Sequence, residues 1–475
     1  MFHVSLIGRR DLSGEIYRQL RCAILDGRLR LGDRLPSSRE LARTLAVSRM
    51  TVTVSYERLA GEGFVTSRVG AGTVVSQHAA HTWRDGGRDC ADGALRPRPV
   101  WDSISLPTVF AKSATFDFRS GIPDASLFPH RTWRRLTSRA LRAEGAVAGG
   151  YGDPQGHRDL REAISRHIGL SRGVAASADD VLVTNGTQQA LDILARVLLK
   201  PGDHVAVEDP GYPPPRRLFQ ALGLRVVAVP VDRDGLVVDA LPRRIRLVYV
   251  TPSHQYPLGV SMTLQRRRAL LAWADRNDAA IVEDDYDSEF RFGGRPLEPL
   301  QTLDGAGRVI YVGSFSKTLL PGLRLGFLVT PPSLRLAVQK AKHVTDWHTA
   351  TPVQTALADF IDGGGFARHV RRMARVYRTR HEMLVNALTR ELADHLELIP
   401  SNAGLHVTAL ALKASTRETA AVARRAADAG VAIQTLASFA VGAAAPAGIV
   451  LGYGGIPTGR IEEGFHRLRR CIDRD

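Results

Sequence analysis

Lys317 closes the run Gly313-Ser314-Phe315-Ser316-Lys317, and Arg324 follows a short turn later. A lysine amine can condense with an aldehyde, while Ser314 and Ser316 offer hydroxyls and Arg324 a bidentate guanidinium to a phosphate. Upstream, Glu283-Asp284-Asp285-Tyr286 places a carboxylate and a phenol two residues apart. Asp284 is suited to holding a ring nitrogen protonated, and Tyr286 to bonding a phenolic oxygen. Gly186-Thr187-Gln188 reads as a strand-to-helix turn whose N–H groups and hydroxyl face an anion. Tyr212, after Glu208-Asp209-Pro210-Gly211, is placed to stack on a ring. Together they are what a protein must supply to pyridoxal 5'-phosphate: an amine for a Schiff base, a partner for the ring nitrogen, a phosphate cradle and a ring contact.

Each piece alone has an ordinary reading. Ser-x-Lys is common, Asp284 fits a turn or helix cap, Asn185-Gly186-Thr187 fits a plain capped helix start, and Tyr212 fits a packed loop aromatic. Their joint order and spacing carry the argument.

A second set opens the chain. Ser48-Arg49-Met50-Thr51-Val52-Thr53 has the polar start of a helix that enters a DNA groove, Arg39 begins the preceding helix, and Arg68 lies on a short hairpin. A small helical subdomain with a solvated polar face is the plainer alternative. Charge alone does not separate the two. The net charge of +16 points towards a polyanion, yet residues 1–78 hold only 12 Arg against 7 Asp and Glu, so most of the excess lies elsewhere.

The elements that position these residues follow from periodicity. Leu12, Ile16, Leu20, Ile24 and Leu25 share a helical face that Gly27 ends. Pro36-Ser37-Ser38 caps a second helix, and Val47-Ser48 turns into a third that carries Val52, Tyr56 and Leu59. Runs 64–66 and 73–75 around Gly70-Ala71-Gly72 complete a winged helix-turn-helix over 11–78. Residues 79–114 lack any period and read as a flexible linker of about 35 Å r.m.s. span. From 115, apolar runs at 181–183, 205–207, 226–229, 247–250, 280–282, 309–312 and 326–329 alternate with helical patterns such as 187–199 and 263–276. This is an α/β domain with a largely parallel sheet, its ligand groups at the strand carboxyl ends, and a smaller α+β tail over about 365–475.

With 475 residues, the chain calls for more than one core. Three scattered cysteines suit a reducing compartment, and no apolar run is long enough to span a bilayer, so a cytoplasmic protein is expected.

The segment Leu35–Val75 resembles the winged domain of GntR-family regulators through Leu-Pro-Ser-x-Arg-x-Leu-Ala, Val-Ser-Arg-x-Thr-Val and Gly-x-Gly-Thr. The blocks at 151–156, 185–191, 208–212, 283–290 and 314–317 resemble a fold-type I aminotransferase. The two together resemble the MocR/GabR subfamily, from about residue 11 to 470 excluding the linker. The resemblance implies a homodimer with pyridoxal phosphate on Lys317 at the subunit interface, and Tyr151 reaching the phosphate held by the other subunit.

Two positions depart from working aminotransferases. Their Asn-Pro-Thr-Gly run stands here as Tyr256-Pro257-Leu258-Gly259, and Val450 takes the place of a carboxylate-binding arginine before Leu451-Gly452-Tyr453. Arg216 and Arg217 are the substitutes at hand, although paired arginines after a Pro-rich turn are commonly surface residues. The reading is a pyridoxal-phosphate-dependent regulator that binds a double-stranded DNA operator and senses an amine, an amino acid or the cofactor itself. The alternatives are a competent aminotransferase with an accessory DNA-binding domain, and a DNA-binding protein whose enzyme-like half only dimerises.

Overall fold

The computed structural model describes residues 11–68, 72–76, 96–104, 114–142, 150–293, 298–441 and 445–473. The expected Gly70-Ala71 turn, most of the expected linker and the side chain of Arg68 lie outside these. Contacts divide the chain into Met1–Pro97 and Arg98–Asp475.

The first unit has helices Leu12–Leu25, Ser38–Thr44 and Arg49–Gly61, then an antiparallel pair Val65–Arg68 and Gly72–Val75. The caps are those the residue types demand. Ser37 Oγ accepts from Glu40 N at 3.2 Å and Ser48 Oγ from Thr51 N at 3.1 Å, satisfying N–H groups the helices cannot. Ile16, Leu20, Val52, Leu59 and Val65 are buried together, each adding about 1.5–3 kcal/mol of apolar burial. Tyr56 O–H donates to Pro36 O at 2.8 Å, which ties the third helix to the lead-in of the second.

The second unit is built on an eight-stranded sheet. Its order is Val181–Thr184, Gly326–Val329, Val309–Ser314, Ala280–Asp285, Ile245–Val250, His204–Asp209, Arg225–Asp232 and Gly235–Leu236. The five strands from Val309–Ser314 to Arg225–Asp232 are parallel, and the remaining pairings are antiparallel. Strands covered on both faces read as unbroken apolar runs, which is why they are legible in the sequence. Alternate residues serve opposite layers. Val205, Val207, Leu247, Val282 and Ile310 pack with Leu191 and Leu194 of helix Thr187–Leu198. Ala206, Val248, Ile281 and Val309 pack with Leu270 and Trp273 of helix Leu264–Arg276. The two-residue strand Gly235–Leu236 is too short to announce itself.

The tail is a four-stranded antiparallel sheet of Leu396–Leu398, His406–Ala411, Gly448–Gly452 and Gln434–Thr435, with helices Gly365–Leu392, Thr416–Asp428 and Ile461–Ile472. One pairing has no local signal. Phe116–Asp117 pairs in parallel with Val431–Ala432, so Phe116 and Phe118 are buried in the tail's core. The pairing carries the following Arg119-Ser120-Gly121 back to the large sheet. Arg98–Ser103 also belongs to this unit, with Arg98 Nη2 donating to Ala221 O at 3.4 Å. Among the described residues no helix is long and apolar enough to cross a membrane.

Candidate functional site

The parallel strands end side by side at Ser314, Asp285, Val250 and Asp209, and the loops that follow converge there. Lys317 is half-buried, and its Nζ donates to Gly121 O at 2.8 Å. Burial lowers its pKa while the carboxylates of Asp287 and Asp284 oppose the shift, so a larger share of the amine is neutral and nucleophilic.

Asp284 sits inside the strand end and is 3% exposed. Tyr249 O–H donates to its Oδ2 at 2.7 Å, whereas its Oδ1 is buried with no hydrogen-bond partner. Burial raises this carboxyl to about 7 despite the Tyr249 bond. That pKa lies above the unfolded value, so its share of stability is lost as pH rises from about 4 through 7. A protonated ring nitrogen would satisfy Oδ1 and stabilise the ionised form. The orphaned oxygen therefore fits pyridoxal phosphate, whose ring nitrogen Asp284 would hold while the Lys317 amine would take its aldehyde.

Tyr286 O–H donates to His254 O at 3.0 Å, and its oxygen lies 3.1 Å from His254 Nδ1. His254 in turn bonds Asp287 Oδ2 at 2.9 Å and Ser401 Oγ at 3.2 Å, so the phenol is held by a buried polar network.

The phosphate side is assembled by strand pairing. Ser314, Gly326 and Thr184 are successive partners across three strands, which brings the loop at 185–187 beside that at 314–317. Gly186 has φ of 80°, and a Cβ there would lie 2.8 Å from Arg324 Nη2. Arg324 donates to Asn185 O at 2.9 Å, and Ser316 N donates to Ser314 Oγ at 3.1 Å. Asn185 Nδ2 and Gln189 Nε2 both donate to Asp346 Oδ2, at 2.6 and 2.7 Å, which pins the loop. Thr187 begins the helix, with its unpaired N–H groups at the same end, and Gln188 is exposed. Gly186→Ala is expected to displace Arg324 and to weaken cofactor affinity about tenfold or more, as the Cβ clash adds to the cost of about 1–3 kcal/mol for a side chain at φ 80° and ψ 173°, a region open essentially to glycine alone. Equilibrium dialysis against the cofactor checks it.

Tyr212 caps helix Pro213–Ala221, is 37% exposed and meets Tyr256 edge-on with centroids 5.3 Å apart. Tyr151 is not brought to this group within one chain. It is 78% exposed and lies on Trp347 with centroids 4.0 Å apart.

In the first unit Arg39 and Arg49 are exposed at the starts of their helices, and Arg49 Nε donates to Ser38 Oγ at 3.4 Å. The two threonines are already engaged: Thr51 Oγ1 lies 2.8 Å from Ser48 Oγ, and Thr53 Oγ1 donates to Arg49 O at 3.0 Å.

Sequence reasoning missed Tyr249, Gly121, His254 and Asp287. Tyr249, on a neighbouring strand, and Asp287, just past Tyr286, stood close to residues already singled out; Gly121 and His254 had no local cue. Of the departures noted, Val450 is fully buried; of the two arginines offered in its stead, Arg216 Nη1 donates to Ala440 O at 3.0 Å and Arg217 is half-buried.

Comparison with known proteins agrees with the two-part fold. The pattern of the family "Bacterial regulatory proteins, gntR family" matches residues 12–75, and that of "Aminotransferase class I and II" matches 117–460. The "Probable rhizopine catabolism regulatory protein MocR" of Rhizobium meliloti is 39% identical over 96% of this chain and 93% of that protein. The "HTH-type pyridoxine biosynthesis transcriptional regulator PdxR" of Corynebacterium glutamicum is 33% identical over 93% of this chain and 91% of that protein. The crystal structure of LysN, an α-aminoadipate aminotransferase from Thermus thermophilus, superposes with a TM-score of 0.71 at 32% identity, covering 78% of this chain and 96% of that one. The chain belongs to the gntR-family regulators that carry an aminotransferase class I and II domain, the group that includes MocR.

Proposed function

We propose that this chain is a transcriptional regulator whose winged domain binds a double-stranded DNA operator and whose aminotransferase-like domain holds pyridoxal 5'-phosphate to sense an amine or the cofactor itself. The observation that carries the reading is the buried, unpartnered Oδ1 of Asp284 in the same chain as a winged domain with exposed Arg39 and Arg49. Bound cofactor supplies an aldehyde that primary amines capture reversibly. The protein does the rest: Lys317 offers the anchoring amine, Asp284 takes the ring-nitrogen proton, and Tyr286 faces the phenolic oxygen. Gly186, Thr187, Gln188, Ser314, Ser316 and Arg324 hold the phosphate, and Tyr212 covers the ring. Arg39, Arg49, Thr51, Thr53 and Arg68 face the DNA.

An amine that releases Lys317 changes which contacts this lysine makes, and only such differential contacts shift an equilibrium between forms of the protein. The protein acts as a cytoplasmic homodimer in this reading, with Tyr151 completing the partner's phosphate site; its exposure in the single chain supports that placement. The name of the pyridoxine-biosynthesis relative makes free cofactor a second candidate signal.

The test is operator affinity of the purified full chain with and without cofactor and amine. A change of about 5–150-fold is expected, the usual range of coupling between two sites. Unchanged DNA affinity together with repeated conversion of amine to carbonyl product would establish the aminotransferase alternative instead.

A further inference from the structure

Beside Lys317 the chain builds a pocket end that is neutral and aromatic. Tyr256, at the place of the aminotransferase asparagine, is buried and meets Tyr212, Tyr286 and Phe439 edge-on with centroids 5.3, 6.0 and 5.3 Å away. Its phenol lies 2.5 Å from Ser120 Oγ, and Ser120 immediately precedes Gly121, whose carbonyl takes the Lys317 amine. Ser120 N and Oγ both donate to Gln434 Oε1 at 2.7 Å. The Ser120 N–H can only donate, so the amide oxygen of Gln434 must face it. That leaves the Nε2 donors of Gln434 without a hydrogen bond to any described residue. Gln434 pairs directly across the sheet with Val450, which is buried among Tyr256, Leu258, Leu436 and Phe439.

The ionised groups that act on Tyr256 and Tyr286 are carboxylates. Asp287 acts on Tyr256, and Asp287, Asp284 and Glu208 act on Tyr286. Arg119, next to Ser120, is committed to Asp117 through two bonds of 2.8 and 2.5 Å, and Arg216 is turned to Ala440 O. A carboxylate brought here would be stripped of water beside aspartates, with Arg119 and Arg216 already engaged elsewhere. A hydroxyl or carbonyl oxygen would instead accept from Gln434 Nε2 at little cost.

We propose that the effector of this site is a primary amine with no carboxylate, its far end a neutral oxygen that accepts from Gln434 Nε2 and packs against the Tyr256 ring. This rests on the amine-sensing reading above and names the ligand class. It also sets this chain apart from enzymes that take amino acids.

The test titrates the cofactor-loaded full chain with matched pairs, alaninol against alanine and leucinol against leucine, following the visible absorbance of the bound cofactor with free pyridoxal phosphate as the blank. The amino alcohols are expected to half-saturate the change at concentrations at least about tenfold lower than the amino acids. Equal or tighter response to the amino acids overturns the proposal and leaves amine sensing intact. Response to neither, with cofactor bound, overturns amine sensing and the proposal with it. Gln434→Arg, on an edge strand and half-buried, is expected to retain cofactor and to shift the preference towards the amino acids. An unchanged preference in that variant would remove Gln434 from the subsite.

Discussion

Lys317→Ala is expected to abolish the visible absorbance of lysine-bound cofactor and to weaken cofactor retention by about a hundredfold, or about 2.8 kcal/mol. The reason is local. The amine sits at Gly121 O, beside Asp284 and Asp287, and no other lysine is proposed as the covalent anchor. What remains for the cofactor is the phosphate cradle and Asp284, so weak non-covalent binding should survive. The fold should survive too, because the aliphatic stem of a half-buried lysine contributes little to the cores on either face of the sheet. Absorbance and dialysis on the same sample separate the two effects. A retained visible band would move the anchor to another lysine.

Arg49→Ala is expected to cost about 1–3 kcal/mol of operator binding and to leave the cofactor spectrum untouched. Arg49 is the first residue of the third helix and is exposed, and Ser38 Oγ only steadies it from the neighbouring helix. Removing it takes away a charge without opening the core formed by Val52, Tyr56 and Leu59. If the contact is to phosphate, the slope of affinity against salt falls by about 1; if it is to a base edge, specificity relaxes at one position instead. Fluorescence anisotropy across a salt series distinguishes these, and unchanged affinity at physiological salt would take Arg49 out of the interface.

Both experiments concern residues that the amino-acid order alone singles out, because they lie in short contiguous blocks. The Ser48 cap, the apolar strands and the turns after them are written locally, since a helix start or a doubly covered strand needs particular residue types within a few positions. The winged helix-turn-helix and the largely parallel α/β domain can therefore be read from order and period, as can the clustering of Lys317, Asp284, Tyr286, Gly186 and Tyr212 at the strand carboxyl ends.

Tertiary structure decided what surrounds those residues. Ser120 meets Gln434 across 314 positions and Tyr256 across 136. The Phe116–Asp117 strand that carries Ser120 and Gly121 finds its partner at Val431–Ala432. The hydrogen bond of Tyr249 to Asp284 spans 35 positions, and that of His254 to Asp287 spans 33. None of these pairs has a spacing that a periodic pattern could mark, because side chains on different elements meet only after the sheet is ordered and the tail is docked. The order of residues alone therefore determined most of the elements and singled out Lys317; the aromatic surroundings of Tyr256 exist only because distant segments are packed against it.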